Sequence, residues 1–183
     1  MDKQMELINT GLNEDYRRGV VDMLNRLLAD EHVLYIKTRN YHWNVTGPRF
    51  HSLHIFLEEQ YNELAETIDE VAETARQFGG FAFGTMTEFL RESRLAEHPG
   101  RVPDEDTMLR DLLEDHQAII RALRHDIDRS DEEYKAADAA DFLTAVLEKH
   151  NKMAWMLRSF LPSVGRNHQG QGRLEDSLVG SSR

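Results

Sequence analysis

The sequence predicts an all-α protein, a four-helix bundle with a short extra helix in its central connection. Three observations point there. Apolar residues recur at spacings of three and four over four long segments, no segment alternates as a strand does, and glycine or proline pairs interrupt the pattern. The 183 residues suit one domain with ragged ends. Forty per cent are apolar and thirty per cent charged, enough to build a core.

Residues 1–17 read as an N-terminal arm, 18–161 as the bundle and 162–183 as a flexible C-terminal tail. The first helix is expected from about Arg18 to Trp43, with Val20, Leu24, Leu27, Leu28 and Tyr35 as its stripe. Gly47-Pro48 turns the chain. The second helix runs from about Arg49 to Phe78, where Gly79-Gly80 stops it. Phe81 to Arg94 has room for the short helix, and Pro99-Gly100 with Pro103 makes a loop. The third long helix starts near Asp104, on a stripe from Met108 to Ile127. The fourth spans about Ala136 to Leu161, and Pro162 closes it. The Gly-, Ser- and Arg-rich remainder has little to bury.

Composition narrows the function classes. There is no cysteine, so disulfides, thiolate metal sites and cysteine nucleophiles are excluded. No apolar run approaches the roughly 20 residues that cross a bilayer. Met1 to Tyr16 lacks the pattern of a signal peptide, and a cytoplasmic location is expected. A net charge of −11 opposes a surface built for phosphate backbones and suits a protein that attracts cations. Nine histidines fit a metal function, or ordinary surface and core roles.

The second helix carries the chemistry. His54 and Glu58 are four residues apart, as are Asp69 and Glu73, and all four fall within a sector of roughly 100°. Imidazole with carboxylates suits divalent iron and leaves positions open for an oxidant. One chain cannot close the site, because His54 and Asp69 lie about 22 Å apart along an unbroken helix. Yet 54 with 73 and 58 with 69 share the midpoint 63.5. Two copies packed antiparallel about a two-fold axis there would set His54 against Glu73 of the partner subunit and Glu58 against Asp69 of the partner subunit, giving two identical sites. Tyr61, Ala65, Ile68 and Ala72 lie between, and small or apolar groups permit close contact. The same four residues on a solvated face are the plain alternative. His42 sits at the end of the first helix, where a short turn would return it to the start of the second. Trp43 beside it would help to shield the site.

His42-Trp43-Asn44-Val45-Thr46-Gly47, a histidine twelve residues after the first, and Asp69-x-x-x-Glu73 resemble the Dps family, the DNA-binding proteins from starved cells or miniferritins. Trp155-Met156-Leu157-Arg158 looks like that family's closing motif, so the likeness spans about Arg18 to Leu161. The resemblance implies a ferritin-like bundle, a dodecamer of two-fold dimers around a cavity, and oxidation of Fe²⁺ at dimer interfaces, preferentially by hydrogen peroxide. It implies His42, His54 and Glu58 from one subunit and Asp69 and Glu73 from its mate as the ferroxidase ligands. Zinc would fit the same set. Glu58 stands where many relatives carry aspartate. The family's three-fold pores are lined by acids near the start of the last helix, where Asp138 and Asp141 fall; a helix start also favours acids through its dipole.

DNA binding is not expected. The arm sets Lys3, Arg17 and Arg18 against Asp2, Glu6, Glu14 and Asp15, and the tail sets Arg166, Arg173 and Arg183 against Glu175 and Asp176. The rival reading is a non-specific DNA-compacting nucleoid protein with incidental metal binding. Another is a larger ferritin with an intra-subunit di-iron site, but no Glu-x-x-His stands in the middle of the second or fourth helix. His116 and His150 interrupt apolar stripes and read as buried, hydrogen-bonded histidines. His32 and His51 read as surface or interface residues, and Trp43 and Trp155 as core residues more than functional ones.

Overall fold

A computed structural model describes residues 5–162; the expected tail, 163–183, lies outside the described residues. Among the described residues five helices make up an all-α bundle: α1 (Glu14–Asn44), α2 (Phe50–Gln77), α3 (Met86–Glu92), α4 (Glu105–Glu132) and α5 (Ala137–Phe160). No strand occurs among the described residues. Short connections pair α1 with α2 and α4 with α5, and α1 also packs on α3 and α4.

Local chemistry sets the ends. Asn13 caps α1 by accepting from the Tyr16 amide at 2.8 Å, and Glu14 and Asp15 favour the first turn through the dipole. The helix therefore begins before Arg18, within the expected arm. Thr85 caps α3 by accepting from the Glu88 amide while its hydroxyl donates to the Glu88 carboxylate, and Asp104 caps α4 by accepting from Thr107. Those hydrogen bonds hold the Asp104 carboxyl below its ordinary range. Gly79 ends α2 with a positive φ of 81°, and its amide donates to the Arg76 carbonyl. A Cβ on Gly80 would come within 2.3 Å of Val21, so the chain here closes on α1 without a side chain between.

The arm is docked rather than loose over its described part. Met5 is buried, the Glu6 amide donates to the Gly79 carbonyl at 2.8 Å, and Arg76 pairs with Glu6. Arg17 is buried too, donating to the carbonyls of Phe78 and Glu6.

The core is the sum of the stripes: Leu24, Leu27 and Leu28 of α1, Leu53, Leu57 and Leu64 of α2, Leu109, Leu112, Ile119 and Leu123 of α4, and Leu143 of α5 are all fully buried. Trp43 and Trp155 depart from expectation, at 63% and 57% exposure. Tyr41 and His42 take the inward directions at the end of α1, and Trp43 is turned about 100° from His42.

Polar groups also cross the core. Lys37 pairs with Asp115 at 2.5 Å, and Asp30 accepts from Ser93 and Arg94, tying the loop after α3 to α1. The deepest group is a chain of three. Glu31 and His150 are wholly buried, with carboxylate and Nε2 2.7 Å apart, and His150 Nδ1 lies 2.9 Å from Nδ1 of buried His116. Burial, then the neighbouring His150, pushes the His116 pKa well below its ordinary value. Burial lowers His32 as well. Both shifts have one sign. Below about pH 6.5 the unfolded chain takes up protons that the folded chain refuses, so stability falls with acid, by up to about 1.4 kcal/mol per pH unit for the fully buried His116 and by less for the partly exposed His32. Urea unfolding between pH 7.5 and 5 is expected to show this slope, shallower in His116→Gln. An unchanged slope in that variant refutes the assignment.

Candidate metal centre

The turn at 45–49 folds α2 back along α1. Gly47 takes a φ of 119° there, and the Phe50 amide donates to its carbonyl. The fold thus brings His42, in the last turn of α1, onto His54, in the second turn of α2. Their rings stack with centroids 3.8 Å apart and 19° between planes. Phe50 stacks on the far side of His54 at 5.2 Å.

Each ring is fixed by the other residue's backbone. His42 Nδ1 lies 2.8 Å from the His54 carbonyl, and His54 Nδ1 lies 2.9 Å from the His42 carbonyl. A carbonyl only accepts, so both Nδ1 atoms carry the proton and donate. In the neutral rings the lone pair is then on Nε2, the atom left to face a metal. The His42 carbonyl is one of those that a helix C-terminus leaves without an intrahelical donor, and the His54 ring supplies it.

Glu58 follows one turn after His54 and is exposed. The Tyr61 hydroxyl donates to Glu58 Oε1 at 3.3 Å, and the Tyr61 ring meets His42 edge-on at 5.2 Å. Desolvation first, then the Glu58 charge, pushes the Tyr61 pKa up, which keeps the phenol a donor. The structure thus brings His42 onto His54 near the start of α2, with Glu58 one turn further on and linked to His42 through Tyr61. It does not bring Asp69 or Glu73 to them. Both are exposed, further along a helix that runs unbroken from Phe50 to Gln77. Among the described residues of a single chain, no group of three or more His, Asp or Glu is placed to hold a metal ion.

Asp138 and Asp141 are exposed at the start of α5, Asp138 in its first turn, away from the α2 ligands in sequence and element. The cap of α5, Ala136, contributes no side-chain bond, so acids near that end compensate its dipole. His32 packs between α1 and α3, its ring stacked on Phe89 at 3.7 Å and its Nδ1 2.8 Å from the Leu28 carbonyl. His51 is exposed.

Around the centre stands one residue the sequence reading passed over, Arg39. Arg39 lies over the rings of Trp43, Tyr61 and Tyr35, at 5.0, 5.3 and 5.4 Å from their centroids. Its Nη1 donates to the Tyr35 hydroxyl at 2.8 Å. Tyr35, Arg39 and Trp43 recur every four residues, the spacing of one helix face, and Glu58 and Tyr61 are three apart. Those spacings were the available signal.

Comparison with known proteins agrees with this architecture. A ferritin-like domain model matches residues 21–166. A low temperature-induced protein of Nostoc, itself uncharacterized, is 47% identical over 86% of this chain and 88% of its own length. DNA protection during starvation protein 2 of Bacillus anthracis is 36% identical over 79% of this chain and 97% of its own. Among solved structures, DpsC from Streptomyces coelicolor superposes with a TM-score of 0.84 at 29% identity, covering 90% of this chain and 96% of that one.

Proposed function

Since the chain belongs to the ferritin-like family, as a Dps-type miniferritin, we propose that it protects against oxidative stress by oxidising Fe²⁺ and storing the product in a dodecameric shell. Fe²⁺ is the substrate. His42, His54 and Glu58 of one subunit bind it together with Asp69 and Glu73 of the two-fold mate. The observation that carries this reading is the crossed pair of hydrogen bonds, which makes both Nδ1 atoms donors and leaves the Nε2 lone pairs of two stacked histidines free for a metal.

Hydrogen peroxide is the oxidant that fits a site able to take two ions. Two Fe²⁺ give two electrons, and with two protons the O–O bond breaks to leave two waters and two Fe³⁺. No single-electron step releases hydroxyl radical. Carboxylates favour the ferric product by charge, and the histidines keep the site selective for a transition metal. Zn²⁺ takes the same nitrogen and oxygen ligands and would compete for them. Asp138 and Asp141, at exposed positions opening α5, would draw Fe²⁺ toward the shell interior.

The nucleoid reading finds no support in the described part of the arm. Arg17 is buried against carbonyls, and Arg18 pairs with Glu14 at 2.7 Å. No described helix is long and apolar enough to cross a membrane.

Mixed subunits test the shared site. His54→Ala and Glu73→Ala shells should each be inactive alone. A mixed dimer holds one site with both lesions and one with none, so random pairing restores about a quarter of the wild-type sites. Coexpressed, doubly tagged shells that recover oxidation confirm sharing; mixed shells that stay inactive overturn it.

A further inference from the structure

We infer that Tyr61 is a positioning residue of the metal centre: its phenol tethers the longer carboxylate Glu58 while its ring fixes His42. This rests on the reading of His42, His54 and Glu58 as ligands.

Glutamate reaches further than aspartate and has one more torsion to order, so holding it in one ligating pose costs more side-chain entropy. A donor on the same helix face offsets that cost. Tyr61 is three residues on, and its hydroxyl donates to Glu58 Oε1 at 3.3 Å, leaving Oε2 for an ion. The same ring stands edge-on to His42, 81° between planes. One side chain therefore touches two of the three ligands that this chain contributes.

Tyr61 is itself held from α1. The Tyr35 ring meets it edge-on at 6.1 Å, 87° between planes, and the Arg39 guanidinium lies 5.3 Å from its centroid. Arg39 Nε is buried with no hydrogen-bond partner, so the faces of Trp43, Tyr35 and Tyr61 replace much of its hydration. A desolvated guanidinium holds an aromatic face more firmly than an exposed one. The order of support runs from Arg39 to Tyr61 to Glu58.

Groups that orient a ligand typically account for 10–100-fold in metal affinity. The test is anaerobic Co²⁺ titration of assembled shells, followed by the visible ligand-field bands, for wild type, Tyr61→Phe, Glu58→Asp, the double variant and His54→Ala. Tyr61→Phe keeps the ring and is expected to raise the Co²⁺ Kd about tenfold and alter the bands, with assembly and thermal midpoint unchanged. In the Glu58→Asp background, where the shorter arm no longer reaches the phenol, Tyr61→Phe should change Kd by less than about twofold. Wild-type affinity in Tyr61→Phe overturns the proposal, and so does an equal loss in both backgrounds, which would mean ring packing without a tether. The metal-centre reading fails separately, if His54→Ala binds Co²⁺ as wild type does.

Discussion

Shells carrying Asp69→Ala and Glu73→Ala together are expected to assemble normally and to oxidise Fe²⁺ with peroxide no faster than free iron does. Both side chains are exposed on α2, outside the core, so their loss should change subunit stability by no more than about 0.5 kcal/mol. The effect on chemistry is of another order. Two of five ligands vanish from each site, and they are the two that a lone subunit cannot bring to His42 and His54. Loss of a merely supporting group reduces activity about 10–100-fold, so removal of two ligands should exceed about 100-fold. Ferric absorbance after substoichiometric peroxide, measured anaerobically, reads this directly. An undiminished rate in an intact shell would place oxidation on one chain and reject the two-fold arrangement. The histidines would then need carboxylates other than Asp69 and Glu73.

Much of the bundle was legible because helical periodicity and helix-ending residues are local signals. Leu24, Leu28, Leu112, Leu123 and Leu143 could be placed inside from spacing alone, and all are buried. The start of α1 was misplaced because its signal is the single cap Asn13, which precedes a turn of charged residues that reads as arm. Trp43 and Trp155 were expected inside on residue type, whereas orientation about the helix turns them out. In the candidate centre, ligand types and spacing were visible, and they are what motivates the proposal of a second copy of α2. The crossed hydrogen bonds between His42 and His54 were not, since they depend on the exact return of the chain at 45–49. Glu31 was missed for a different reason. A glutamate flanked by Asp30 and His32 reads as a solvated edge, and only its partner 119 positions away explains its burial.

That burial leads to the largest expected effect on stability. His150→Leu should destabilise the subunit by about 3–5 kcal/mol, because it leaves the Glu31 carboxylate wholly buried with no cation or donor. Glu31 is already under-satisfied: Oε1 meets His150, while Oε2 is buried with no partner. The His116 ring loses its contact as well. Glu31→Leu with His150→Leu removes both polar groups and refills the space with apolar atoms. Its remaining penalty is the unpaired His116 nitrogen, about 1–3 kcal/mol. The double variant should therefore be more stable than His150→Leu alone, by urea unfolding at pH 7.5, where His116 is neutral. If the double loses as much as the two singles added together, Glu31 and His150 are energetically uncoupled and the desolvation argument fails. If it recovers as expected, Glu31 and His150 act chiefly in specifying the fold. A carboxylate on α1 that only α5 can satisfy penalises any register in which those helices slip, which an all-leucine layer would tolerate.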